Sequence, residues 1–106
     1  MAEDWAADIK KYAPHADDAV IAKIVSTYRL ALSNRDSAYV ATSDAGEVET
    51  VRKNFLKGKL GLTEDDATLD AAIKDVAAVM KADRTKSRAT VYYLLAEKFN
   101  KLDVFK

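Results

Sequence analysis

The sequence predicts an all-α fold, and three features of the chain indicate it. Its 106 residues include only 3 Gly and 1 Pro, too few for the turns that a β-protein requires. They include 19 Ala, counted along the chain, and Ala is the best helix former because it loses no side-chain entropy. Apolar residues also recur at intervals of three and four, as on one helix face. We therefore expect a single compact domain over residues 1–106, built from about five helices.

The first two predicted helices lie in the N-terminal third of the chain. The first runs from about Asp4 to Tyr12 and is too short to be stable alone, so we expect Trp5 to dock on the body. Pro14 ends it, because proline disfavours helical geometry in the preceding residue. Asp17 is a suitable N-cap for the second helix, which runs to about Ser33. Its apolar stripe consists of Ile21, Ile24, Val25, Tyr28 and Leu32.

The third predicted helix follows a polar link and a short apolar stretch, residues 38–41, which we interpret as a single turn. Asp44 and Glu47 have the spacing of a capping box, which marks a helix start. The helix directs Val48, Val51, Phe55 and Leu56 inward. Gly61 suits the left-handed conformation that closes a helix.

The last two predicted helices fill the C-terminal half. Thr63 and Thr68 are the two candidate N-caps of the fourth helix, which ends near residues 81–82. The fifth runs from about Ser87 to Phe99, and Asn100 is its expected terminator.

Composition excludes several function classes. With no Cys and a single His, the chain cannot form disulfides, thiolate metal sites or a multi-histidine site. No nucleophile has an apparent base, and no glycine-rich phosphate loop is present. We expect no cofactor, no metal and no catalytic residue.

The acidic N-terminus does not resemble a secretory signal, and no apolar run approaches the roughly 20 residues that span a bilayer. We therefore expect a cytoplasmic protein without membrane contact.

The zero net charge of the chain is a cancellation between its halves. Residues 1–50 contain 5 basic and 9 acidic residues, which gives −4, and residues 51–106 contain 12 basic and 8 acidic, which gives +4. Two interpretations follow. Either the halves face each other within a dipolar monomer, or the protein associates with itself.

Basic residues gather where the fifth helix begins. Lys86 and Arg88 lie at a helix start, where the dipole opposes positive charge by about 0.3–1 kcal/mol each. Basic side chains, hydroxyls and free amides at such a position are the parts of a site for phosphate, a nucleotide or a nucleic-acid backbone. The alternative, which we favour, is that Asp44, Glu47 or another acid pairs with these residues. The candidate anion site comprises Arg84, Thr85, Lys86, Ser87 and Arg88.

Four further groups of residues have two interpretations each. The basic run Arg52, Lys53, Lys57 and Lys59 has no interleaved aromatic residues to stack bases, so a solvated helix face is favoured over a nucleic-acid patch. Either Tyr92 or Tyr93 flanks the anion site, or both serve packing.

The other two groups concern cations. His15 titrates near neutral pH or binds metal with Asp17 or Asp18, but an exposed turn histidine is favoured. The acids 64–66 with Asp70 attract a divalent cation or mark a helix start. Their spacing is not that of a calcium loop.

Several segments of the chain form a recognisable set: residues 54–62, 69–73, 80–88 and 92–99, together with 5–12 and 33–36. These segments resemble a bacterial family of small helical proteins, the domain of unknown function 2853. The resemblance covers nearly the whole chain and implies a small all-helical bacterial protein, but it supplies no activity or catalytic residues. We predict a non-enzymatic protein that binds a protein partner or itself. Anion binding at residues 84–88 is the alternative, and a nucleic-acid partner is only weakly supported.

Overall fold

The computed structural model describes residues 5–42, 44–81 and 86–105. Helices dominate this part of the chain, which confirms the predicted all-α class. The helical elements are α1 (Trp5–Tyr12), α2 (Asp18–Thr27), α3 (Arg29–Ser33), α4 (Arg35–Ala38), α5 (Ala45–Thr50), a π-helix (Val51–Lys59), α6 (Asp66–Val79), α7 (Arg88–Lys98) and a 3-10 helix (Leu102–Phe105). Two strands of two residues each, β1 (Tyr39–Val40) and β2 (Lys86–Ser87), pair antiparallel.

The predicted second helix corresponds to α2 and α3, which join at Tyr28. Asp17 is the N-cap of α2, and its Oδ1 accepts a hydrogen bond from the Ala19 N–H at 2.8 Å, as predicted. Helical hydrogen bonds continue through the junction. The Tyr28 N–H donates to the Ile24 carbonyl at 3.0 Å, and the Leu32 N–H donates to the Tyr28 carbonyl at 2.8 Å. Residues on one face of α2 therefore stay aligned as far as α3.

The interpretation of residues 38–41 as a single turn is wrong for the middle of that segment. Tyr39 lies opposite Ser87 and Val40 opposite Lys86, so the stretch forms a strand. Aromatic and β-branched residues favour extended backbone. The Trp5 ring packs edge-on against Tyr39 with centroids 5.9 Å apart, which anchors the start of α1.

The predicted third helix changes its hydrogen-bond pattern midway. It starts as predicted at Asp44, whose Oδ1 accepts from the Gly46 N–H at 2.8 Å. After Thr50 the chain continues as a π-helix, and at its end the Leu60 N–H donates to the Phe55 carbonyl at 2.9 Å. Runs of this pattern are rare and usually span one turn. Gly61 adopts a φ of 66°, as expected for the residue that closes the helix.

The N-cap of the fourth predicted helix is neither Thr63 nor Thr68. It is Asp65, whose Oδ1 accepts from the Thr68 N–H at 2.9 Å. An aspartate is a better N-cap than a threonine. The Thr68 side chain first, and then the Thr68 N–H, hold the pKa of Asp65 below its ordinary value by hydrogen bonding. Ser87 caps α7, and Asn100, with a φ of 58°, follows its end as predicted.

The core is organised around α7, of which eight of the eleven residues are buried. α1, α2 and α6 pack against it. The Thr90 hydroxyl, fully buried, donates to the Asp8 carboxylate and so connects α7 to α1. Within the residues described, no helix combines the length and apolar character needed to cross a membrane.

Candidate functional site

The start of α7 is the region where the sequence predicts an anion site. Arg84 and Thr85 lie outside the described residues. Lys86 is half-buried on β2. Ser87 is 3% exposed, and its hydroxyl oxygen accepts from the Thr90 N–H at 3.4 Å. One of the hydroxyls proposed for the site therefore caps the helix.

Arg88 is turned into the protein and is only 7% exposed. Its Nε donates to the Ser37 carbonyl at 2.5 Å, and its Nη1 donates to the Tyr92 hydroxyl at 2.6 Å. The Glu47 Oε1 lies 3.9 Å from Nη2. An acid that the sequence analysis names as a possible partner thus faces this guanidinium. A buried cation requires such partners, because desolvation without them is costly.

An aromatic cluster lies beside Arg88. The Tyr92 ring stacks on Phe55 with centroids 3.9 Å apart, and Tyr28 meets Tyr92 edge-on at 4.8 Å. Phe105 also packs on this cluster. Burial raises the pKa of Tyr28 and Tyr92, although the charge of Arg88 acts against the rise at both. These hydroxyls stay protonated at neutral pH, so they can donate or accept hydrogen bonds but cannot act as bases.

The second basic run meets the acids at the start of α6. The Arg52 Nη1 donates to the two Asp70 carboxylate oxygens at 2.8 and 3.0 Å, and the Lys57 Nζ donates to Asp66 at 2.6 Å. The hydrogen bond from Lys57 holds the pKa of Asp66 below its ordinary value, and the bond to Asp70 raises that of Arg52. Two members of the basic run, Arg52 and Lys57, thus pair with Asp70 and Asp66 from the acidic group, although the two groups are separate in the sequence.

His15 contacts α7 from the connection between α1 and α2. Its Nε2 lies 2.6 Å from the Glu97 Oε2, and the Tyr93 hydroxyl donates to the same oxygen at 3.2 Å. Burial first, and then Glu97, raise the pKa of Tyr93 to about 12. Over the described ranges, no three His, Asp or Glu side chains are grouped so that they could hold a metal ion.

An open apolar groove of about 620 Å³ lies between α1 and one face of α2. We call it the α1–α2 groove. It is lined by Trp5 and Ala6 from α1, and by Asp18, Ile21, Ala22, Val25, Ser26 and Arg29. Leu30, next along the chain, is 83% exposed. Arg29 makes no side-chain hydrogen bond or ion pair with any residue that the structure describes.

The apolar pattern of the sequence does not predict this groove. A signal is nevertheless present, since the lining residues Ala22, Ser26 and Arg29 recur at helical spacing outside the apolar stripe of the second predicted helix. A smaller groove of about 210 Å³ between α6 and α7 has Val76, Val79 and Leu94 among its lining residues.

The fold and these contacts define a class: a small helical protein whose buried cation is engaged internally and whose open groove is apolar. The chain belongs to the family described as protein of unknown function (DUF2853), whose model matches residues 4–103. The family resemblance predicted from the sequence is thereby confirmed. No curated protein matches the chain, and the family brings no activity.

Proposed function

We propose that this protein is a non-enzymatic bacterial protein of the cytoplasm that binds another polypeptide chain through the α1–α2 groove. The observation that carries the proposal is the groove, an open depression that exposes apolar side chains beside Arg29, which has no partner among the residues that the structure describes. Single exposed apolar residues are ordinary on protein surfaces. An apolar groove with the exposed Arg29 at one end is less ordinary, because it places apolar and cationic contacts together.

The chemistry of the lining suits a protein partner. Trp5 and Arg29 belong to the residue types that are enriched at protein interfaces. Ala22 and Ser26 are small and exposed, so a partner helix could approach α2 closely. The apolar floor would contribute about 25 cal/mol for each Å² that the partner covers.

A photo-crosslinking side chain placed at position 26 tests this proposal in the cells that make the protein. We expect Ser26→benzoylphenylalanine to give a defined protein adduct, because position 26 lines the groove. The matched control is Lys74→benzoylphenylalanine, at an exposed position on α6. The adduct should be absent from the control and should disappear when Ala22→Glu is added. Equal adducts at both positions, or none at position 26, would contradict the proposal.

Anion binding at residues 84–88 is the second candidate function. It is supported by the Arg88 guanidinium, whose carboxylate partner Glu47 is 3.9 Å away, beyond hydrogen-bond distance. A phosphate could replace Glu47 as the counter-charge. The test is an NMR titration with inorganic phosphate. We expect amide shifts confined to the start of α7 and tighter binding in Glu47→Gln. Unchanged amides there would exclude this function.

A further inference from the structure

We propose that the occupant of the α1–α2 groove is a second copy of this chain, with the two α2 helices antiparallel across a two-fold axis. This inference rests on the proposed function, because it names the partner for the same groove. It follows from the order of charged, apolar and small residues along the exposed face of α2.

The groove-lining residues of α2 and the start of α3 are self-complementary in the antiparallel orientation. When two copies of the helix are related by an axis that passes midway between Lys23 and Ile24, Ala22 faces Val25 of the partner subunit. Ile21, which is only 2% exposed and lies at the floor of the groove, is then covered by Ser26 of the partner subunit. Asp18 faces Arg29 of the partner subunit, and each of these contacts occurs twice.

The charges at the two ends of this face favour that orientation. The Asp18 side chain is 81% exposed, and its Oδ1 lies 2.5 Å from the Lys10 Nζ. Because of this exposure, the carboxylate can accept a hydrogen bond from a further donor. Arg29 lies eleven positions along the chain, about 16 Å away at 1.5 Å per residue, and has no partner among the described residues. Parallel helices would instead place like charges together, which is unfavourable.

The apolar residues supply the contact between these charged ends. Ala22 is exposed and Val25 half-buried, so the helix axes can approach without displacing large side chains. Leu30, the next residue after Arg29, does not line the groove, but it is 83% exposed at the edge of this contact. A two-fold contact is the commonest form of association between identical chains. We expect a weak dimer, because three helical turns form a small interface.

Charge exchange between Asp18 and Arg29 tests the proposal on the purified protein. In Arg29→Asp, two attractive pairs become two repulsive ones, and Asp18→Arg has the same effect with opposite sign. Each variant alone should associate at least about tenfold more weakly than the original protein. An equimolar mixture should form a heterodimer, because both cross-pairs are attractive again. Sedimentation velocity at low salt measures each case, and added salt should reduce the differences.

Lys23→Asp is the matched control, because it makes the same change of charge at an exposed position on α2 outside the groove. It should dimerise like the original protein. A protein that stays monomeric at millimolar concentration, or a mixture that does not associate, would overturn the dimer. The crosslinking experiment separates this failure from failure of the proposed function. An adduct at position 26 with a different protein would leave the groove as a binding site but assign it another partner.

Discussion

Arg88 and Arg29 show how differently the fold treats two arginines. Arg88 belongs to the densest basic segment of the chain, yet it is 7% exposed and donates hydrogen bonds to Ser37 and Tyr92. Arg29 has few charged neighbours in sequence, yet it lies open at the end of the α1–α2 groove. The more conspicuous cation is engaged internally, and the less conspicuous one is available to a partner.

This difference shows that the density of charged residues along a sequence does not predict whether a given side chain is exposed to solvent. Two of the groups that contact Arg88 come from distant segments, since Ser37 lies 51 residues before it and Glu47 lies on α5. The sequence of residues 84–88 alone therefore cannot indicate these partners. Arg29 stays open because no described acid reaches it.

The largest expected effect is on Arg88. Arg88→Met would leave the Ser37 carbonyl and the Tyr92 hydroxyl without their charged donor, at a residue that is only 7% exposed. We expect a loss of about 3 kcal/mol in the free energy of unfolding, measured by urea denaturation at neutral pH.

The matched change, Arg29→Met, completes the comparison. In dilute protein it should alter the free energy of unfolding by less than about 0.5 kcal/mol, as for an exposed residue without partners. Comparable losses in the two variants would contradict the contrast drawn between the two arginines.

Much of the fold was predictable because its signals are local. The caps Asp17 and Asp44, the closing Gly61 and the terminator Asn100 act within a few residues of their own positions. The π-helix was not predictable, because its apolar residues fit an ordinary helix pattern equally well. The strand at Tyr39 was missed because it depends on pairing with Ser87, 48 positions along the chain.

The site was less predictable than the fold because it depends on tertiary contacts. Pairing of Glu47 with the basic segment was named as one alternative, but the carbonyl of Ser37 was not foreseen. The Arg52–Asp70 and Lys57–Asp66 pairs join two runs that the sequence presents as separate. The α1–α2 groove requires knowing which side of α2 the core leaves uncovered.

Tyr93, which is buried on α7, provides a further test of how closed this helix is, because burial changes its alkaline titration. In the folded protein the pKa of Tyr93 is raised to about 12, whereas an unfolded tyrosine titrates near 10. The neutral form is favoured by folding, so this contribution to stability is complete below pH 10 and is lost as the pH rises towards 12. The slope is at most about 1.4 kcal/mol per pH unit for one such group.

Urea denaturation between pH 9 and pH 12 measures this slope. Tyr93→Phe should show a shallower fall in the free energy of unfolding than the original protein, because it cannot ionise. Lysines titrate in both proteins and cancel in the difference. Parallel curves for the two proteins would mean that Tyr93 ionises as readily in the folded state as in the unfolded chain.

The smallest expected effect is at Leu30, and it depends on protein concentration. Since Leu30 is 83% exposed, Leu30→Ser should change the free energy of unfolding by less than about 0.5 kcal/mol in dilute protein. At concentrations where the original protein dimerises, mass action stabilises it but not the variant. The difference should therefore grow with concentration. Val79→Ser, at a 59% exposed position on α6, should show no such growth. A loss above about 1 kcal/mol in dilute protein would instead mean that Leu30 packs within the monomer, and the contrast between an open start of α3 at Arg29 and Leu30 and the closed start of α7 at Arg88 would no longer hold.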